Sequence, residues 1–170
     1  MRLLLLPLLL LACADPAAEH LGGLGDPARG AALSGPWWGD TARLAGRPAQ
    51  AARAAVQLEV IADSFETDPL YRHEVSGEAL HAMRVGRRDM RDALGIAADA
   101  PPGPVIVALR EAAAAIDAGS PARAGAALGG PMFRPDTLAR LSRLPALPRV
   151  RDAAGAAWVE MRRLDGGGRG

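Results

Sequence analysis

The sequence predicts an all-α protein, a small Ala-rich helical bundle of about five to six helices behind a flexible N-terminal tether. Three observations carry that expectation. Apolar residues recur three and four positions apart, the spacing that gathers side chains on one face of a helix. Gly, Pro and Ser stand where such segments need to start and stop. Val, Ile, Phe, Tyr and Trp are too few, and never alternate long enough, to build a sheet.

The helices follow in order. Pro48 suits a first helical position, and Ala51, Ala55, Leu58, Ile61, Ala62 and Phe65 then share a face. Asp68-Pro69 marks a turn. Ser76 caps a second helix carrying Leu80, Met83, Met90 and Leu94. Gly95 suits the left-handed position that ends it, with Ile96 folding back onto Met90. Pro101, Pro102 and Pro104 open a third helix with Val105, Ala108, Leu109, Ala112 and Ile116 inward, stopped at Gly119. Ser120 caps a short Ala-rich helix from Pro121, which Gly129-Gly130 ends. Asp136 caps a short segment with Leu138 and Leu141. Pro148 opens the last helix, whose stripe is Val150, Ala154, Ala157, Trp158 and Met161, so Trp158 is expected in the core. Short loops between such helices favour antiparallel neighbours.

Three stretches share a pattern: Gly25-Asp26-Pro27-Ala28-Arg29, Gly46-Arg47-Pro48-Ala49-Gln50 and Gly119-Ser120-Pro121-Ala122-Arg123. Their unequal spacing argues against a repeat protein, and the pattern reads as the way helices begin in this composition. Residues 13–39 hold few large apolar side chains before Trp37 and read as the tether. The helical domain is expected over 40–164 and a disordered tail over 165–170.

The first residues read as processing rather than structure. Met1 and Arg2 precede an apolar run, Leu3 to Leu11, interrupted only by Pro7. At about 1.5 Å per residue that run reaches roughly 14 Å, under half of a ~30 Å bilayer core. Residues 1–12 therefore fit a cleaved secretory signal. Leu10-Leu11-Ala12-Cys13 resembles the lipobox of bacterial lipoproteins, with Leu11 departing from the usual small or β-branched residue. That resemblance implies a fatty acid on the Cys13 thiol, a lipid anchor in the membrane, and a domain in the cell envelope facing the periplasm. Ala12-Cys13-Ala14 also reads as an ordinary A-x-A site, which would release a chain starting at Asp15. Cys13 is the single cysteine in the chain, at the one place a lipoprotein needs it. Ala14 follows it and Asp15 comes one later than the familiar enterobacterial retention position, which favours the outer membrane.

Composition excludes several classes. A lone cysteine makes no internal disulfide and no C-x-x-C site. All 20 basic residues are Arg, as coding in a GC-rich genome produces, and they face 19 acidic ones. Arg2 leaves with the signal, so the charges balance. Nucleic-acid binding, which needs a basic excess, is not expected. Much of the apolar content is alanine, so each buried residue contributes little and the helices must approach closely.

The stretch from Arg91-Asp92-Ala93-Leu94-Gly95-Ile96 through Pro101-Pro102, with Ala118-Gly119-Ser120-Pro121-Ala122, resembles uncharacterised helical lipoproteins of GC-rich proteobacteria. The likeness covers about a third of the mature chain and rests on caps and turns. It implies the envelope address and the helices, and no activity.

Three groups of side chains are candidate sites. Arg84, Arg87, Arg88 and Arg91 recur at three and four residues and so line one side of the second helix, where arginine forks suit phosphate headgroups or an acidic partner. Asp89 and Asp92 beside them fit a solvated, partly neutralised face. Trp37 and Trp38, between Pro36 and Gly39, suit a membrane interface or a partner groove, or seal the edge of a poor core. His73, Glu74, Glu78 and His81 are the one metal-capable cluster. The Glu78/His81 spacing resembles half of a di-iron motif, but no second copy exists, so no metal or other cofactor is expected. Nucleophile elbows, H-E-x-x-H helices and phosphate loops are missing, and no catalytic residue is named. The expected function is an envelope-anchored, non-enzymatic helical interaction module. Its partners are the membrane, through Cys13, and another envelope protein. The alternative is a periplasmic ligand-binding or hydrolytic domain with a pocket between helices.

Overall fold

The computed structural model describes residues 26–167, so the signal, Cys13 and residues 168–170 lie outside the described residues. The helices are α1 (Pro27–Leu33), α2 (Gly35–Trp38), α3 (Pro48–Thr67), α4 (Gly77–Leu94), α5 (Pro102–Asp117), α6 (Pro121–Ala127), α7 (Thr137–Ser142) and α8 (Pro148–Gly167). A 3-10 turn spans Thr41–Leu44. Among the described residues the only extended pairing is one isolated bridge between Ile96 and Phe133. The protein is all-α. Each of the six helices expected between 40 and 164 is present, as α3 to α8.

The starts and stops obey the local chemistry. Asp26 accepts a hydrogen bond from the Arg29 N–H at 3.0 Å, and Pro27 follows it as the first residue of α1. Ser76 does the same for α4 through the Ala79 N–H at 3.2 Å. Gly95 turns left-handed (φ 73°), and the Ile96 and Gly95 N–H groups close back on the Arg91 and Asp92 carbonyls. This is the double bond of a Schellman cap, with both Ile96 and Met90 buried beside it. Gly119 (φ 66°) ends α5 in the same way. Two expected caps are not made by side chains. The Ser120 N–H instead closes α5 on the Ala115 carbonyl, while the Asp136 carboxylate pairs with Arg140 at 2.9 Å.

α3 is the hub. It packs on α5 along one side and on α4 along another, and α4 in turn lies along α8. α1 and α2 each touch both α3 and α8, which closes a ring around the core. Trp38, Leu58, Phe65, Met83, Met90 and Leu109 are its large, fully buried members. Because alanine fills so much of the rest, backbones come close. A Cβ on Gly86 of α4 would lie 2.6 Å from the Ala153 Cβ of α8. On the other flank of α8, Cβ atoms on Gly35 and Gly39 would meet Ala154 at 2.8 and 2.6 Å.

Two expected boundaries are corrected. The tether does not run to residue 39: α1 and α2 belong to the folded unit, burying Ala28, Ala31, Ala32 and Trp38. Their apolar face is alanine, which a search for large apolar side chains passes over. The tail does not begin at 165 either, since α8 continues to Gly167. Its last turn is tied to α1 by the Arg29 guanidinium, which holds the Asp165 carboxylate at 2.9 to 3.1 Å.

Candidate functional site

The arginines of α4 lie on one side of the helix, but they do not form a free surface. Arg91 is in the core, its side chain 5 % exposed against 3 % for its partner Glu59 of α3. Its Nε and Nη2 donate to the two Glu59 oxygens, each at 2.7 Å, a bidentate fork. Its Nη1 donates to the carbonyls of Ala97, Ala98 and Ala100 at 3.3, 3.0 and 2.9 Å. One buried cation thus joins α3, α4 and the turn that leads to α5. One helical turn and two helical turns away, Arg87 and Arg84 share the Glu66 carboxylate at 2.9 and 2.7 Å. Burial pushes that carboxyl up, but the Arg84 hydrogen bond and the Arg87 charge outweigh it and hold it below the usual carboxylate range. Arg88 is exposed. Arg84 is exposed as well, its side chain 57 % open to solvent, so the expectation of a working or solvated arginine face is corrected only for the shielded Arg87 and Arg91. Their partners come from α3 rather than from Asp89 and Asp92. Glu59 and Glu66 were not singled out in the sequence. A signal existed: both pairs, Glu59/Glu66 and Arg84/Arg91, are seven residues apart, as two adjacent antiparallel helices require.

The tryptophan pair divides. Trp38 is fully buried, with its indole N–H donating to the Ala31 carbonyl at 2.8 Å. Trp37 is 44 % exposed. Trp158, expected in the core, is instead 36 % exposed, with the Arg162 guanidinium 4.9 Å from its ring centroid. The reason is angular. The buried stripe of α8 is Val150, Ala153, Ala154, Ala157, Glu160 and Met161, and Trp158 stands about 100° round from Ala157. Trp158 walls a groove of about 440 Å³ between α2 and α8, opposite Pro36, with Gly35, Gly39 and Ala154 beneath and Arg151 at its rim.

A larger groove, about 870 Å³, runs between α1 and α5 above α3. Gly30, Ala31, Ala113 and Ala114 leave it open, and Arg53, Gln57 and Arg110 supply polar groups. Arg53 is bound to Asp117 across it. At one end the Asp26 carboxylate takes the Tyr71 hydroxyl proton as a hydrogen bond. Burial first, and then the hydrogen bond to Asp26 and the charge of that carboxylate, push that phenol well above its ordinary range.

His73, Glu78 and His81 are exposed, and no three metal-capable side chains gather among the described residues. A carboxylate missed in the sequence, Glu160, is buried instead. It accepts from the Arg163 guanidinium at 2.7 Å, the Ser76 N–H at 2.7 Å and the Ser76 hydroxyl at 3.2 Å. The Arg163 bond leads in holding this carboxyl below its usual range, against the effect of burial. Glu160 thereby fastens α8 to the start of α4. Cys13 lies outside the described residues. No helix among the described residues is long and apolar enough to cross a membrane. No protein-family model, curated protein or solved structure matches the chain.

Proposed function

We propose that the chain is a lipoprotein held in the cell envelope through Cys13, and that its helical domain is a non-enzymatic interaction module facing the periplasm. Anchoring is supported by the sole thiol of the chain following a short apolar run. The observation that carries the interaction role is the exposed apolar surface on α1, α2 and α8, where Leu33, Trp37, Trp158 and Val159 meet solvent. The titratable groups nearest the core support the non-enzymatic part. Glu59, Glu66 and Glu160 are each engaged by arginine, the first two from another helix, and Glu160 is tied to the start of α4 by the Ser76 N–H.

The alternative, a ligand-binding or hydrolytic periplasmic domain, is favoured by the groove between α1, α3 and α5. Its Arg53 and Asp117 neutralise each other, which ranks that reading second. The anchor is tested by labelling with a radioactive fatty acid in cells. The wild-type chain takes up label, while Cys13→Ser loses it and accumulates as unprocessed precursor. Normal processing of Cys13→Ser to a chain beginning at Asp15 overturns the proposal.

A further inference from the structure

We infer that in the anchored protein the face made by α2 and the outer side of α8 lies on the membrane surface, with Trp158 at the depth of the lipid headgroups. The inference rests on the reading of Cys13 as a lipid anchor.

Its first support is where exposed apolar groups collect. Of the six large apolar residues exposed among the described residues, Leu33, Trp37, Trp158 and Val159 lie on three helices that pack on one another, and Leu70 and Val107 lie elsewhere. Its second support is the chemistry around Trp158. Arg151, Gly155, Trp158 and Arg162 are spaced by four, three and four residues, so they share one side of α8. Neither Arg151 nor Arg162 has a carboxylate partner among the described residues. Asp40, on the same groove, is already paired with Arg43 at 2.8 Å. Asp152 stands about 100° round the helix from Arg151. An indole flanked by two such arginines matches a lipid surface. The ring sits between water and hydrocarbon while the guanidinium groups reach the phosphates.

The third support is attachment. Described structure begins at α1, which packs on both helices of this face, and the chain from Cys13 to Pro27 spans at most about 50 Å. An anchor joined there holds the face at high effective concentration beside the bilayer, so a weak interfacial contact suffices.

Lipidated protein reconstituted into vesicles of three parts phosphatidylethanolamine to one part phosphatidylglycerol tests this, using acyl chains brominated near the headgroup. The Trp37→Phe variant reports on Trp158 above the buried Trp38, and Trp37→Phe/Trp158→Phe leaves Trp38 alone as baseline. The Trp158 emission is expected to fall by roughly half in brominated vesicles, because an indole at headgroup depth touches shallow bromines. Arg151→Gln/Arg162→Gln is expected to reduce that loss, most at low salt. Protein that floats with the vesicles but shows only the Trp38 baseline overturns the inference and leaves the anchor standing. Shielding of Trp158 in native envelope vesicles but not in pure lipid also overturns it, in favour of a protein partner. Protein that does not float overturns the anchor, and the inference with it.

Discussion

Arg91 and Glu59 hold opposite charges in a place where neither survives alone. With both side chains almost wholly shielded from water, removing one leaves an uncompensated ion, at a cost of about 3–5 kcal/mol. Removing both takes away two charges that balance. Arg91→Met and Glu59→Leu are each expected to lower the urea midpoint severely. The double variant should be less destabilised than the sum of the singles by more than about 1 kcal/mol. Simple additivity in that cycle would mean that the three carbonyls held by Arg91 matter and the ion pair does not. The sequence made the arginine row legible but not which member was buried. Burial of an arginine is decided by a carboxylate on another helix, and periodicity within one helix carries no record of it. Trp158 departs from its expected core position for a related reason. An apolar stripe fixes a direction to within about a residue, and 100° separates core from solvent.

At the scale of the element, punctuation was the legible part. Pro at a first position marks α3, α5 and α6, and Gly just past an end marks α4 and α5, because each rests on a backbone requirement that few residues meet. The same start stands at Gly25-Asp26-Pro27, yet α1 reads as tether in the sequence since its face is built of alanine. Alanine hides a packing surface from any reading that counts large side chains. It also sets how the helices meet, as two glycines inside helices show. Gly86 faces Ala153 with no room for a methyl, while a Cβ on Gly155 would meet nothing within 4 Å. Replacing an interior helical Gly by Ala contributes about 1 kcal/mol when the site is open. Gly155→Ala should therefore raise the melting temperature. Gly86→Ala should lower it, because separating α4 from α8 costs about 1–3 kcal/mol and exceeds the helical gain. Thermal unfolding followed by circular dichroism checks both signs. A stabilised Gly86→Ala would mean that α4 and α8 do not pack as closely as the Gly86/Ala153 approach requires.

The described residues form a ring of packed helices, and its closing piece is α1 and α2, which lie outside the domain that composition suggests. α1 and α2 reach from α3 to α8 and cover Trp38, whose indole N–H is satisfied only within that piece, on the Ala31 carbonyl. Without them, the flank of α8 around Ala154 and the α3 face under Ala28, Ala31 and Ala32 would open to water. The tie between Arg29 and Asp165 would also go, releasing the last turn of α8. Few large side chains remain to offset such a loss in a core this rich in alanine, where apolar burial contributes only about 25 cal/mol per Å². A chain beginning at residue 26 should therefore unfold cooperatively with the stability of the longer protein. A chain beginning at residue 40, the boundary that composition suggests, should unfold at markedly lower urea concentration and with a shallower transition, because less surface is exposed on unfolding. Equal midpoints for the two chains would refute the closed ring and restore the tether to its full expected length.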